Sequence, residues 1–166
     1  MVIQLVTLVG VALFALATLG VLFLLGMRAK SPLVLRAVIA LSRTVFNPRQ
    51  MRTAGQPGAY AAIIRHRGRI SGRDYETPVG AIPTDDGFLI MLPYGRAQWA
   101  RNVLANGSAT LVHEGATHEV DSPEIIPMAE VASTFPPGDQ RSGRIFGVTD
   151  VLRLRRVDDA ALDVAA

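Results

Sequence analysis

The stretch with the most chemical potential in this chain is Gly68-Arg69-Ile70-Ser71-Gly72-Arg73. Two glycines permit a tight turn. Ser71 and the backbone N–H groups can face an anion, and Arg69 and Arg73 can hold a phosphate bidentately. It is not a Walker loop, because the Gly-Lys-Ser/Thr ending and the following helix are missing. The alternative is an exposed Arg-rich hairpin turn with no ligand. The histidines are His66, His113 and His118. His113 and His118 flank a short turn, but no further ligand set accompanies them, so structural or solvent-exposed roles and no metal are expected. The chain has no cysteine, which excludes thiolate ligands, Cys nucleophiles and disulfides. No Ser-His-Asp set is arguable, and Asp85, Asp86 and Asp121 read as turn and surface residues.

The elements that must position these residues begin near Gly58, where short β-like runs alternate with turns. Tyr60–His66 reads as a first strand and Gly68–Gly72 as a turn. Tyr75–Pro83 reads as a second strand, and Asp85-Asp86-Gly87 leads into a third, Phe88–Tyr94. Gln98–Ala105 has helical spacing and is stopped by Asn106-Gly107, a left-handed cap signal. Ala109–His113 and Thr117–Asp121 form a hairpin across Glu114-Gly115-Ala116. Pro127–Ser133 suggests a helical turn, Phe135–Gly138 a loop, Asp139–Phe146 a helix and Val148–Val157 a last strand, before a frayed tail. Six or so short strands with one central helix predict a mainly β domain, a small closed or half-open barrel with a few short helices.

Hydrophobic residues make up 49% of the 166, and the excess lies at the start: from Val2 to Gly26 there is no charged side chain. That run is long enough to span a bilayer as a helix. Nothing basic precedes it, and Met27-Arg28-Ala29-Lys30-Ser31-Pro32 is a poor cleavage site, so an uncleaved anchor is expected rather than a signal peptide. Residues 1–55 hold six Lys/Arg and no acid, whereas residues 56–166 hold eleven Arg and all fourteen acids. An isoelectric point near 9.9 would suit nucleic acid, but this asymmetry favours anionic lipid headgroups, and no nucleic-acid partner is expected. The positive-inside rule puts the domain on the cytoplasmic side of the cell membrane, as a single-pass protein. After the Ser31-Pro32 start signal, Leu33, Val34, Val38, Leu41 and Val45 recur at helical spacing, with Arg36 and Arg43 on one flank. This helix either lies on the membrane surface or packs on the barrel, and Asn47-Pro48 should end it. The expected division is a transmembrane anchor over 1–30, a basic amphipathic helix and linker over 31–57, the barrel over 58–157 and a tail over 158–166. Lipid contact is expected through residues 1–46, and nothing marks a surface for self-association.

The order Gly68-Arg69-Ile70-Ser71-Gly72-Arg73, then Thr77-Pro78, then Trp99-Ala100-Arg101-Asn102-Val103-Leu104-Ala105-Asn106, then a hairpin with Gly115, resembles the deazaflavin (F420)-dependent nitroreductase and quinone reductase family. The resemblance covers roughly Tyr60 to Val157. It implies a split β-barrel that holds coenzyme F420, with Arg69, Ser71, Gly72 and Arg73 on the phosphate and acidic tail. Thr77, Pro78 and Val79 would lie along the deazaflavin ring. Trp99 and Asn102 would close the pocket, and Pro93-Tyr94-Gly95-Arg96 would line its mouth, which makes Tyr94 a contact residue. Each has a plainer role available: Trp99 as core aromatic, Asn102 as a local cap, Thr77-Pro78 as an edge strand. The chain departs from the family at Ile70, where a basic residue is common. It also departs over residues 127–149, which hold Phe135 and Phe146 but no tyrosine for an acceptor site. The implied activity is hydride transfer from reduced F420 to an apolar small-molecule acceptor such as a membrane quinone or a nitro compound. The alternatives are an FMN-binding reductase on the same barrel, or a non-catalytic, membrane-tethered deazaflavin- or lipid-binding protein.

Overall fold

The computed structural model describes residues 2–93, 95 and 97–157. Tyr94, Arg96 and the tail from 158, and with them the expected contact at Tyr94 and the frayed end, lie outside the described residues. Helix α1 (Val2–Arg28) is followed by α2 (Pro32–Leu41), a π-helical turn (Ser42–Phe46) and α3 (Asn47–Gln50). Then come β1 (Ala62–Arg67), β2 (Asp74–Val79), β3 (Ala81–Pro83), β4 (Gly87–Met91), α4 (Gln98–Asn106), β5 (Ser108–His113) and β6 (Ala116–Pro127). Short α5 (Met128–Val131), a 3-10 turn (Ala132–Thr134), α6 (Pro137–Phe146) and β7 (Asp150–Arg156) complete the described chain.

All strand pairs are antiparallel, in the order β2-β1-β5-β6-β7-β4-β3. The two edge strands, β2 and β3, are separated in the chain by Gly80 alone. A sheet whose two edges are consecutive cannot be flat, so it curls round until one bent strand serves both edges. The fold is therefore mainly β, a split barrel with a few short helices and a long apolar helix before it. Alternate residues point inward, and Ile64, Phe88, Ile90, Leu111, Val120, Leu152 and Leu154 fill the interior with Val103 of α4. A second cluster, Leu89, Ile126, Phe135 and Val151, lies on the outer face of β4, β6 and β7 under α5 and its neighbours. At Gly87 the β7 backbone comes so close that a Cβ would collide with the Leu154 carbonyl.

Several boundaries differ from the sequence expectation. The expected strand Tyr75–Pro83 is divided at Gly80 into β2 and β3, because the two halves pair with different neighbours, and the expected Phe88–Tyr94 strand ends at Met91. Strand β6 does not stop at Asp121 but continues to Pro127, through a register shift between Asp121 and Glu124. Ser122-Pro123 has the look of a terminating turn, yet a bulge tolerates a residue without a donor; Ser122 takes a positive φ of 48° there. Helix α6 starts earlier than expected, with Pro137 in its first turn, where a missing N–H has no cost. The helix after Pro32 does not end at Asn47-Pro48. The π turn, with the Asn47 N–H on the Ser42 carbonyl, lets the helical path continue with Pro48 at the start of α3. Along this path Val34, Leu35, Val38, Ile39 and Val45 are half-buried, while Leu33, Arg36, Leu41, Arg43 and Phe46 are exposed.

Helix α1 has 27 residues, about 40 Å at ~1.5 Å each, which exceeds a hydrocarbon layer of ~30 Å. Gln4–Arg28 is long and apolar enough to cross a membrane. Its end is fixed to the barrel. Met27 is buried. Arg28 Nη1 donates to the Arg144 carbonyl at 2.6 Å, and Lys30 Nζ donates to the carbonyls of Gly147 at 3.0 Å and Pro93 at 3.3 Å. Cations at the last carbonyls of α6 complement its dipole. Two of the basic residues expected to face lipid headgroups are therefore held by protein, and Arg36, Arg43, Arg49 and Arg52 are left exposed.

Candidate functional site

The turn joining β1 to β2 is closed by backbone bonds, Gly68 N–H to Arg73 O at 2.7 Å and Gly72 N–H to Gly68 O at 2.8 Å. Gly72 supplies the left-handed φ of 64° that the turn requires. A Cβ at Gly68 would strike the Ser71 hydroxyl and the Tyr75 ring. Ser71 Oγ accepts the Arg73 N–H at 3.3 Å and shares a hydrogen bond with Tyr75 Oη at 3.1 Å. Arg67 Nε donates to the Gly72 carbonyl at 2.9 Å. The N–H groups of Gly68, Arg69, Gly72 and Arg73 all have acceptors within the protein. An anion at this turn would thus be met chiefly by arginine side chains, and the backbone cradle expected from two glycines is mostly used up by the turn itself.

Helix α4 supplies the other half. Its buried face is Ala100, Asn102 and Val103, with Trp99 half-buried against the interior cluster, and Gly107 ends it in the left-handed region. Asn102 Oδ1 accepts from Arg69 Nη1 at 2.9 Å and from the Arg69 N–H at 3.3 Å. Gln98 Oε1 accepts a further bond from Arg69 Nη1 at 2.9 Å. Asn106 Nδ2 donates to the Arg67 carbonyl at 2.6 Å, which fastens the end of α4 to the hairpin.

These bonds fix the rest of the network. With Oδ1 facing Arg69, the Asn102 carboxamide presents Nδ2 to His66 Nδ1 at 3.3 Å. His66 Nδ1 is then the acceptor, and Nε2 carries the hydrogen toward Thr77 Oγ1 at 3.3 Å. Thr77 can in turn donate its own hydroxyl hydrogen. His66 and Asn102 are both buried, and burial pushes the His66 pKa below its usual value, in keeping with a neutral ring. The Tyr75 ring stacks on His66 at 5.7 Å and 21°. Arg69, Ser71, Arg73, Thr77 and Asn102, read from three separated parts of the sequence, are thus joined through His66 and Tyr75. His66 has a place in this cluster that the sequence reading did not give it. The signal was there in the alternation Ala62, Ile64, His66, which puts a histidine on the buried face of β1.

Other expected contacts are divided. On β2, Thr77 and Val79 pair with the inward-facing Ile64 and Ala62, whereas Pro78 pairs with Ile63 on the outer face. Side chains alternate between the two faces, so any contact shared by all three residues would be made by the strand backbone, through its N–H and C=O groups. Pro78 does lie on an edge strand. A groove of about 700 Å³ follows the hairpin, lined by Arg65, His66, Arg67, Tyr75, Glu76 and Asn106 among others. Arg65 Nε pairs with Glu76 there at 2.8 Å. Far from it, at the other end of the barrel, His113 and His118 meet around the Phe88 ring at 5.6 and 5.2 Å, with the Arg156 guanidinium 5.3 Å from the ring centre.

The fold and this cluster define a split β-barrel with a polar network where its first hairpin meets its central helix. No family model matches the chain, and no curated protein matches it. Among solved structures it is similar to HutZ, the heme storage protein from Vibrio cholerae, at 13% identity and a TM-score of 0.44, over 60% of this chain and 82% of that one. A likeness of this degree says nothing of ligand or activity.

Proposed function

We propose that this chain is a membrane-anchored oxidoreductase of the deazaflavin-dependent kind, which binds F420 at the junction of the β1–β2 hairpin and α4. The observation that supports it is the single hydrogen-bonded path Arg69–Asn102–His66–Thr77, in which His66 links three residues, Arg69, Asn102 and Thr77, that the family resemblance named. The donor set fits an acidic cofactor. Arg69 uses only Nη1 for its two carboxamide partners, which leaves the rest of its fork directed elsewhere. Arg73 is exposed beside it on the same turn. Arg69 and Arg73 would hold the phosphate and acidic tail, and Thr77 would donate its hydroxyl hydrogen to an acceptor atom of the ring system. Neutral His66 holds Thr77 in that role, and Trp99 with the interior cluster keeps water from the inner side. When bound, reduced F420 supplies a hydride to an apolar acceptor. A quinone suits a protein with a membrane anchor, because anchoring concentrates the site where such an acceptor partitions. With Arg28, Lys30, Arg36 and Arg43 following α1, the barrel would face the cytoplasm.

The test is turnover by the full chain in lipid vesicles given reduced F420 and a menaquinone analogue. Oxidation of the cofactor that depends on both protein and quinone is expected. Vesicles that oxidise it no faster than protein-free ones would overturn the proposal.

A further inference from the structure

Ile70 is 88% exposed, the most exposed of the large apolar side chains among the described residues. It sits at the tip of the β1–β2 turn, where a soluble hairpin would carry a polar residue. The end of the barrel that bears this tip can be identified. Lys30, two residues beyond α1, donates to the Pro93 carbonyl, and Gln98, five residues after Pro93, accepts from Arg69. Four antiparallel steps separate β1 from β4 in the sheet, so the two strands run the same way, and the turn after β1 lies at the same end of the barrel as Pro93 after β4 and the foot of α1. Two more exposed aliphatic side chains gather there. Leu33 is 79% exposed three residues after Lys30, and Ile145, 40% exposed, belongs to the residue whose carbonyl accepts from Arg28 Nη1 at 3.4 Å.

The connecting turns at the two ends differ in sign. The turn from Gly68 to Arg73 carries Arg69 and Arg73 and no acid. The turns at the opposite end carry Asp85 and Asp86 between β3 and β4, beside Arg155 and Arg156, and Glu114 between β5 and β6. From these placements we infer that the hairpin end of the barrel is seated on the bilayer that α1 enters, with Ile70 in the interfacial layer and the basic turn against anionic headgroups. An apolar side chain flanked by arginines suits that boundary. The inference rests on α1 being a membrane anchor and deepens the proposed function, because a site at this end opens where a lipid-soluble acceptor resides.

The absence of native cysteine makes a direct test possible. Full chains carrying Ile70→Cys, Asp85→Cys or Leu16→Cys would be labelled with a small fluorophore and reconstituted in vesicles of phosphatidylcholine and phosphatidylglycerol. Quenching by shallow spin-labelled lipid and by aqueous iodide is then compared. The label at position 70 should be quenched several-fold more by lipid than the one at 85, and shielded from iodide. If positions 70 and 85 behave alike while position 16 is lipid-quenched, the anchor stands and the seating is wrong. If position 16 is not lipid-quenched, the anchor itself is wrong and the seating falls with it.

Discussion

Asn102 uses both ends of its carboxamide inside the protein: Oδ1 holds Arg69 at 2.9 Å, while Nδ2 faces His66 Nδ1 at 3.3 Å. One buried side chain therefore fixes both the arginine of the turn and the tautomer of the histidine. Asn102→Ala would leave the Arg69 N–H and His66 Nδ1 without their partner, while Arg69 Nη1 would keep only Gln98. It should destabilise the protein by about 1–3 kcal/mol, measured by denaturant unfolding. Asn102→Asp should instead raise the His66 pKa toward or above its usual value, since a carboxylate favours the imidazolium; NMR titration of the ring reads this directly.

The pH dependence of stability follows from the same histidine. The folded pKa of His66 lies below the usual 6.5 because burial disfavours the charged ring. The unfolded chain then binds more protons, so this contribution is fully present above about pH 6.5 and is lost as pH falls through the folded value. His118 acts in the same direction, through its own desolvation, the Arg156 charge and His113. His66→Gln should flatten part of the acid-side decline in melting temperature, and a second replacement at His118 should flatten more. An unchanged profile in the double variant would contradict the assignment.

Arg69 and Arg73 should separate structure from binding. Arg69→Gln removes the clamp on Asn102 and should lower both melting temperature and cofactor affinity. Arg73→Gln, whose side chain is exposed, should leave the melting temperature unchanged and weaken F420 binding by about tenfold, the worth of one charge-assisted hydrogen bond. The deficit should shrink as salt is added. Isothermal titration across a salt series checks this.

Barrel closure is tested at glycines. Gly87→Ala sets a Cβ against the Leu154 carbonyl of the paired strand, and backbone cannot yield as a flexible side chain can. A loss of about 3 kcal/mol is expected. Gly138, in the first turn of α6, has open space around it, and Gly138→Ala should be neutral or stabilising by up to about 1 kcal/mol.

Much of this was legible in the sequence because local signals and tertiary need agreed. The apolar run before Arg28, the Gly68–Gly72 turn and the Asn106-Gly107 helix stop appear where the residues put them. What was hidden depends on partners distant in the chain. Ser122-Pro123 looks like a stop until β7 is there to pair beyond the bulge. Arg28 and Lys30 look like lipid ligands until the carbonyls at the end of α6, more than a hundred residues later, meet them. His66 looked idle because its partners, Thr77 and Asn102, lie 11 and 36 residues away. Gly80 is one glycine among 15 in the sequence, and only the strand order shows that the barrel closes around it.

The most direct test of the account is a titration of the purified full chain, in detergent micelles, with F420 and separately with FMN, followed by the fluorescence of each cofactor. Residues 1–30 are best kept, because Met27, Arg28 and Lys30 are part of the barrel's packing. Saturable F420 binding, weakened in Arg73→Gln and lost in Asn102→Asp, with weak or no FMN binding, is the predicted result. Tight FMN binding without F420 binding, or no saturable binding of either, would contradict the proposal that the hairpin and α4 form a deazaflavin site.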